Sequence, residues 1–236
     1  MEPSCVGLEI IEDMKTKEPI AAIFDMDGVL VANMHIHELA FYEFGRRRGR
    51  EITREFFLEH ITGSTNERIM PKIFGQISEE DIRLFSAEKE AIYREMYAPE
   101  LVATEGLMTF LEYLASHDVK MAVASNAPME NIRFVSDALG LDKYMPVMLN
   151  GTMVANPKPA PDMFLKSAEL LGATPSRSIV FEDAPGGIRA ANAANMRAIG
   201  LLTSHTKDEL GKTDLVVSDF LSPELYKFWE LLLKEN

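Results

Sequence analysis

Five short apolar runs rich in strand-forming residues recur along the chain, and most are separated by stretches of helical periodicity. The runs are "AAIF" (Ala21 to Phe24), "VKMAVAS" (Val119 to Ser125), "SIVFE" (Ser178 to Glu182), "RAIGL" (Arg197 to Leu201) and "DLVV" (Asp214 to Val217). Four intervening segments, "GLMTFLEYLASH", "MENIRFVSDALG", "PDMFLKSAELLG" and "PGGIRAANAANM", read as helices, with Gly140 and Gly172 as C-terminal stops of the middle two. Strand alternating with helix requires right-handed crossovers, so the pattern predicts an α/β, Rossmann-like core: a parallel sheet covered by helices on both faces.

Residues 35–98 interrupt this alternation. "HELAFYEFGRRRG", "TREFFLEHI", "NERIMPKIF" and "SEEDIRLFSAEKEAIYREMY" all carry helical patterns, with no convincing strand among them. The insertion follows the first strand and ends before the second, which predicts a small all-helical cap domain (35–98) over the strand ends of a core made of 18–34 and 99–236. Residues 1–17 form an N-terminal extension. The basic run Arg46–Arg48 reads as a solvated helix end, where cations oppose the helix dipole.

Bulk properties narrow the function. The 236 residues are 47% apolar and 26% charged, enough for a packed core without the bias of disorder. With 24 basic and 37 acidic side chains the formal charge is −13, a field that repels nucleic acid but does not exclude a small phosphorylated molecule held by local cations. A single cysteine, Cys5, excludes an internal disulfide. No apolar run reaches the ~18 residues of a membrane span. A cytoplasmic monomer that binds neither nucleic acid nor membrane is expected.

Asp25 and Asp27 in "FDMDGVL" leave the end of the first strand on one side of the chain, because side chains two apart on a strand share a face. Gly28 lets the backbone turn. In an open α/β sheet that end is where ligands bind, although aspartates are equally common as turn and cap residues. Three later segments favour the first view. "VASNAP" ends a strand with Ser125 and Asn126, whose hydroxyl and amide suit phosphate oxygens; "NPKPAPD" holds Lys158 in a proline-stiffened loop; "VFEDAPGG" ends another strand with Glu182 and Asp183 beside glycines.

Together, "FDMDGVL", "ASN", "NPKPAPDMF" and "FEDAPGGIRAANAANM" resemble the haloacid dehalogenase-like phosphotransferases, in the branch of β-phosphoglucomutase and small sugar-phosphate phosphatases. The resemblance runs from about residue 20 to the C-terminus and includes the helical cap. It implies Asp25 as nucleophile, Asp27 as general acid/base, Ser125 and Lys158 as phosphate-holding residues, and Glu182 and Asp183 as acids for Mg²⁺. Residue chemistry agrees: Mg²⁺ is a hard cation that prefers oxygen, available from Asp25, Glu182, Asp183 and the carbonyl of Asp27. Asp27 argues against dehalogenases, which lack the second aspartate, and the absence of membrane runs argues against ion-pumping ATPases.

The cap is expected to choose the substrate. His37 and Lys89 match cap residues of the mutase, His37 having plain helix surface as its alternative. Where the mutase loop has an arginine that clamps a distal phosphate, three residues after a glycine, "GSTNER" offers Asn66; Arg68 is the alternative source of that charge. Ala32 and Asn33 also depart from the usual "D-S" or "D-T". The expectation is a Mg²⁺-dependent phosphatase of a small phosphorylated metabolite, a sugar phosphate, working through an aspartyl phosphate. A phosphosugar mutase is the alternative, and a non-catalytic metabolite-binding module the remote one.

Overall fold

The computed structural model describes residues 18–61 and 64–234. Cys5, the rest of 1–17, and Gly63 of the loop "GSTNER" lie outside the described residues. Six parallel strands form one sheet: β1 (Ala21–Phe24), β2 (Lys120–Ser125), β3 (Val147–Asn150), β4 (Ser178–Glu182), β5 (Arg197–Leu201) and β6 (Leu215–Val217), in the order β3-β2-β1-β4-β5-β6. The sequence pattern identifies five of them. The sixth, β3, is an edge strand directly after Met145-Pro146, and its polar end at Asn150 keeps it from standing out as an apolar run. In register, Ala21 faces Lys120 on one side and Ser178 on the other, so the carboxyl ends of β2 and β4 flank the end of β1.

The insertion holds α1 (Met34–Arg47), α2 (Arg54–Phe56) continuing into a wider turn at Phe57–Ile61, α3 (Asn66–Phe74) and α4 (Glu79–Tyr97). Ile36, Ala40 and Phe44, spaced four apart on α1, are buried, and Phe44 meets Phe74 and Phe85 at ring distances of 5.7 and 6.3 Å. Helix α4 starts at a reciprocal cap: Ser78 Oγ accepts from Asp81 N at 3.1 Å while Asp81 Oδ2 accepts from Ser78 N at 3.4 Å. Arg46 and Arg47 bind Glu43 on the exposed end of α1, whereas Arg48 bonds to Glu88 of α4. The outgoing and returning connections lie side by side, joined where Thr104 N donates to Leu30 O at 2.9 Å.

The remaining helices are α5 (Leu107–Ser116), α6 (Met129–Leu139), α7 (Asp162–Leu171), α8 (Pro185–Ala193), α9 (Lys207–Leu210) and α10 (Pro223–Lys234). Gly140 and Gly172 end α6 and α7 with φ of 65° and 70°, the left-handed conformation expected of C-terminal glycines. Alternate residues of each strand divide between two layers. Phe24, Val123 and Phe181 pack with α5, α6 and α10, and Ile23, Ala122, Ala124 and Val180 pack with α7 and α8. Phe24 stacks on Phe181 at 4.5 Å, which makes a stiff apolar floor under the strand ends. Among the described residues no helix is long and apolar enough to cross a membrane.

Candidate active site

The floor beneath the site is fixed by strand pairing. Asp25 follows β1 directly, and its N–H donates to Phe181 O of β4 at 3.0 Å. One carboxyl oxygen from each of Asp25, Glu182 and Asp183 lies within 4.8 Å of the other two, and all three residues are buried. Lys158 reaches in from the loop before α7: Nζ donates to Asp25 Oδ1 at 2.5 Å and to Glu182 Oε1 at 2.6 Å.

Two glycines make this crowding possible. A Cβ on Gly187, in the first turn of α8, would lie 1.8 Å from Glu182 Oε1. Gly28, at φ +79°, would place one 1.9 Å from Asp183 Oδ2. Glu182 Oε2 also accepts the N–H groups of Asp183 and Ala184 at 3.2 and 3.3 Å. The carbonyl of Asp183 accepts from His205 Nδ1 at 2.9 Å, and its carboxylate is bonded by Ser204.

The charges do not balance. Burial raises the pKa of Asp25 well above the ordinary carboxylate range; Lys158 opposes that rise, while Glu182, Asp183 and Asp27 add to it. Asp183 is pushed up to about 7, by burial first and then by Glu182. Burial disfavours the charge on Lys158, but Asp25 and Glu182 outweigh it and hold the ammonium above its usual range. Three carboxylates against one ammonium leave a deficit that a divalent cation would offset, and an all-oxygen donor set suits a hard one such as Mg²⁺.

Asp27 is not one of the three clustered acids. It sits in the tight turn from Met26 to Val31, and its carboxylate faces the insertion. Oδ1 accepts from Asn33 Nδ2 at 2.5 Å and lies 3.4 Å from His37 Nε2. The ring of His37 stacks on Tyr93 at 4.0 Å, and its Nδ1 lies 3.0 Å from Lys89 Nζ. An ammonium can only donate, so Nδ1 is the acceptor and Nε2 carries the hydrogen that points at Asp27.

Lys89 is buried against Glu90 Oε1 at 2.9 Å and over the ring of Phe41. Burial would raise the pKa of Glu90, but Lys89 and then His37 overcome it, and the carboxyl is held at about 2. Asn66 donates to the same Oε1 at 2.7 Å. Arg68 lies two positions on along α3, about 200° around the helix from Asn66, so it does not share that face. On the core side, Ser125 is buried, with Oγ accepting from Ala127 N at 3.1 Å, and the Asn126 amide donates to Lys158 O at 3.2 Å.

The structure thus gathers Asp25, Lys158, Glu182 and Asp183 around one point, with Asp27 beside them. His37 and Lys89 join the site through Asp27, and Asn66 through Glu90. The family model described as haloacid dehalogenase-like hydrolase matches residues 22–201, a span that takes in all four strand-end segments. The chain belongs to the haloacid dehalogenase-like hydrolases.

This hydrolase is 28% identical over 198 residues to the validoxylamine A 7'-phosphate phosphatase of Streptomyces hygroscopicus subsp. limoneus, covering 84% of this chain and 92% of that protein. It is 26% identical to the chloroplastic 5-amino-6-(5-phospho-D-ribitylamino)uracil phosphatase of Arabidopsis thaliana, where 84% of this chain spans about half (54%) of the relative. The crystal structure of β-phosphoglucomutase from Clostridium difficile superposes with a TM-score of 0.76 at 26% identity, covering 92% of this chain and 98% of that one. The protein is an enzyme of the phosphohydrolase type, similar to β-phosphoglucomutase.

Several residues that shape this hydrolase's site carry no signal in its sequence. Glu90 and Ser204 belong to no motif; Asn33 is visible only as a departure from the family's usual residue. Tyr93 reads as an ordinary core aromatic.

Proposed function

We propose that the enzyme is a Mg²⁺-dependent phosphatase of a small phosphorylated metabolite, a sugar phosphate, acting through an aspartyl phosphate on Asp25. The observation that carries this is Asp25 held between Lys158 and the buried pair Glu182 and Asp183. Asp25, Glu182 and Asp183, with the carbonyl of Asp27, would hold Mg²⁺. Its charge would offset the carboxylates and the transferring phosphoryl group, so that a dianion can approach Asp25.

In the first displacement an oxygen of Asp25 bonds to phosphorus, the ester P–O bond breaks, and Asp27 gives its proton to the leaving oxygen. In the second, water bonds to phosphorus, Asp27 takes the water proton, and the bond to Asp25 breaks to release phosphate. Uncatalysed phosphate-monoester hydrolysis calls for accelerations of up to ~10²¹, whereas a general acid/base supplies about 10² to 10⁴. Positioning and local charge must therefore supply most of the effect. Lys158 would hold an equatorial phosphate oxygen, with Ser125 and the Asn126 loop beside it. Residues 35–98 are proposed to act as the cap, with Asn33 and His37 orienting Asp27.

A phosphosugar mutase is the second reading, favoured by His37 and Lys89 and by the likeness to β-phosphoglucomutase. Against it, Asn66 is neutral and already bonded to Glu90. A panel of sugar phosphates, assayed with Mg²⁺ for both free phosphate and isomer, separates the two. Steady phosphate release supports the phosphatase; isomer appearing faster than phosphate, with a bisphosphate primer, supports the mutase; turnover of no phosphomonoester would sink both.

A further inference from the structure

Helix α4 meets the start of α6 along one seam. Glu90, Tyr93, Arg94 and Tyr97 share a face of α4 through three- and four-residue spacing, as do Asn131 and Phe134 on α6. The ring of Phe134 lies 6.5 Å from that of Tyr93 and 6.5 Å from that of Tyr97. Beside these rings the Asn131 amide is gripped at both ends: Nδ2 donates to Glu90 Oε2 at 2.8 Å, and Oδ1 accepts from Arg94 Nη1 at 2.6 Å.

An amide has one donor end and one acceptor end, and α4 presents a carboxylate and a guanidinium, four residues apart, in the matching order. Only one orientation satisfies both. Asn131 is fully buried, so either end left unpaired would be costly. Asn131 also lies in the first turn after the loop of Ser125 and Asn126. The Glu90 carboxylate continues through Lys89 and His37 to Asp27. One unbroken polar chain therefore joins the first turn of α6, just after the loop of Ser125 and Asn126, to Asp27.

We infer that Asn131 is a positioning residue: its amide clamps the helical insertion to the core at the loop of Ser125 and Asn126, and so sets Asp27 against the phosphate-side groups. This rests on the phosphatase reading for its kinetic arm only. The test uses the full chain with Asn131→Asp, Glu90→Gln and the two combined. Asn131→Asp replaces the donor by a carboxylate facing Glu90. Adding Glu90→Gln restores the pairing in reverse, since the new amide donates to the new carboxylate, which still accepts from Arg94.

Asn131→Asp is expected to speed hydrogen exchange in residues 90–97 relative to β1 and β4, and to lower kcat/KM for a phosphomonoester by about tenfold or more. The double variant is expected to improve on Asn131→Asp in both by about threefold or more, stopping short of the parent because Lys89 loses its carboxylate partner. The proposal is overturned if Asn131→Asp changes neither quantity, or if the double variant is no better than the single one, which would mark a packing defect. Should Asn131→Asp not fold, Arg94→Met is read by exchange alone; unchanged exchange in α4 overturns the clamp. If the parent hydrolyses no phosphomonoester, the phosphatase reading falls while the exchange arm still decides the clamp.

Discussion

The strand-end acids and the seam between α4 and α6 are both buried polar clusters, yet their charges are managed in opposite ways. At the strand ends three carboxylates share one ammonium, and the pKa values of Asp25 and Asp183 are driven up. At the seam Lys89 faces Glu90, Asn66 and Asn131 complete that carboxylate's bonds, and its pKa is driven down to about 2. Unbalanced buried charge persists only where something from outside completes it. Balanced buried charge needs no ligand and serves to hold parts in place. The first cluster is thus where chemistry belongs, and the second is where geometry is kept.

The largest expected break in this contrast is Asp25→Asn, which would remove the proposed nucleophile with little change in side-chain shape. Phosphate release should fall by roughly 10⁴ or more, with no acyl phosphate recovered from quenched reactions. Retention of even a tenth of the parent rate would place the nucleophile elsewhere. Next comes Asp27→Asn. It keeps the bonding atoms toward Asn33 and His37 but cannot carry the proton, and kcat should drop by about 10² to 10⁴. A loss that appears only in KM would argue that Asp27 binds substrate and moves no proton.

The smallest effect is read as stability, at the seam. Glu90 is depressed in the folded state, so its stabilisation is present above the unfolded carboxyl pKa of 4.5 and is lost as pH falls toward about 2. Glu90→Gln should flatten the stability profile over that window, removing on the order of 3 kcal/mol of pH dependence, as measured by denaturant unfolding at stepped pH. An unchanged acid limb would show that Lys89 and Glu90 are not paired as described.

How much was legible in the sequence follows the same division. β1, β4 and β5 stand out because strands buried on both faces must be continuously apolar, and Asp25, Glu182 and Asp183 stand out because acids at the ends of such runs have no packing reason to be there. Lys158 is found through its proline-rich loop. The seam is different: Glu90 meets Asn131 across 41 positions. Nothing local to either residue sets it apart from an ordinary surface side chain. Asn66 was legible as a departure from a phosphate-clamping arginine, but its bond to Glu90 was not, because that depends on how α3 packs on α4. Edge strand β3 is hidden because "VMLN" follows a proline and ends in a polar asparagine, whereas β6 at the other edge lies in the recognisable run "DLVV".

The bond from Thr104 to Leu30 pins the two tethers of the insertion to each other at their base. Whatever length of chain is looped out beyond that knot, the spacing of Asp25, Lys158 and Glu182 is set below it, by strand register and the stacked phenylalanines. A change in the length of the insertion would leave those three groups in place, whereas Asp27, which His37 of the insertion faces, would feel it. Descendants of such a chain are free to try new appetites while keeping the same teeth.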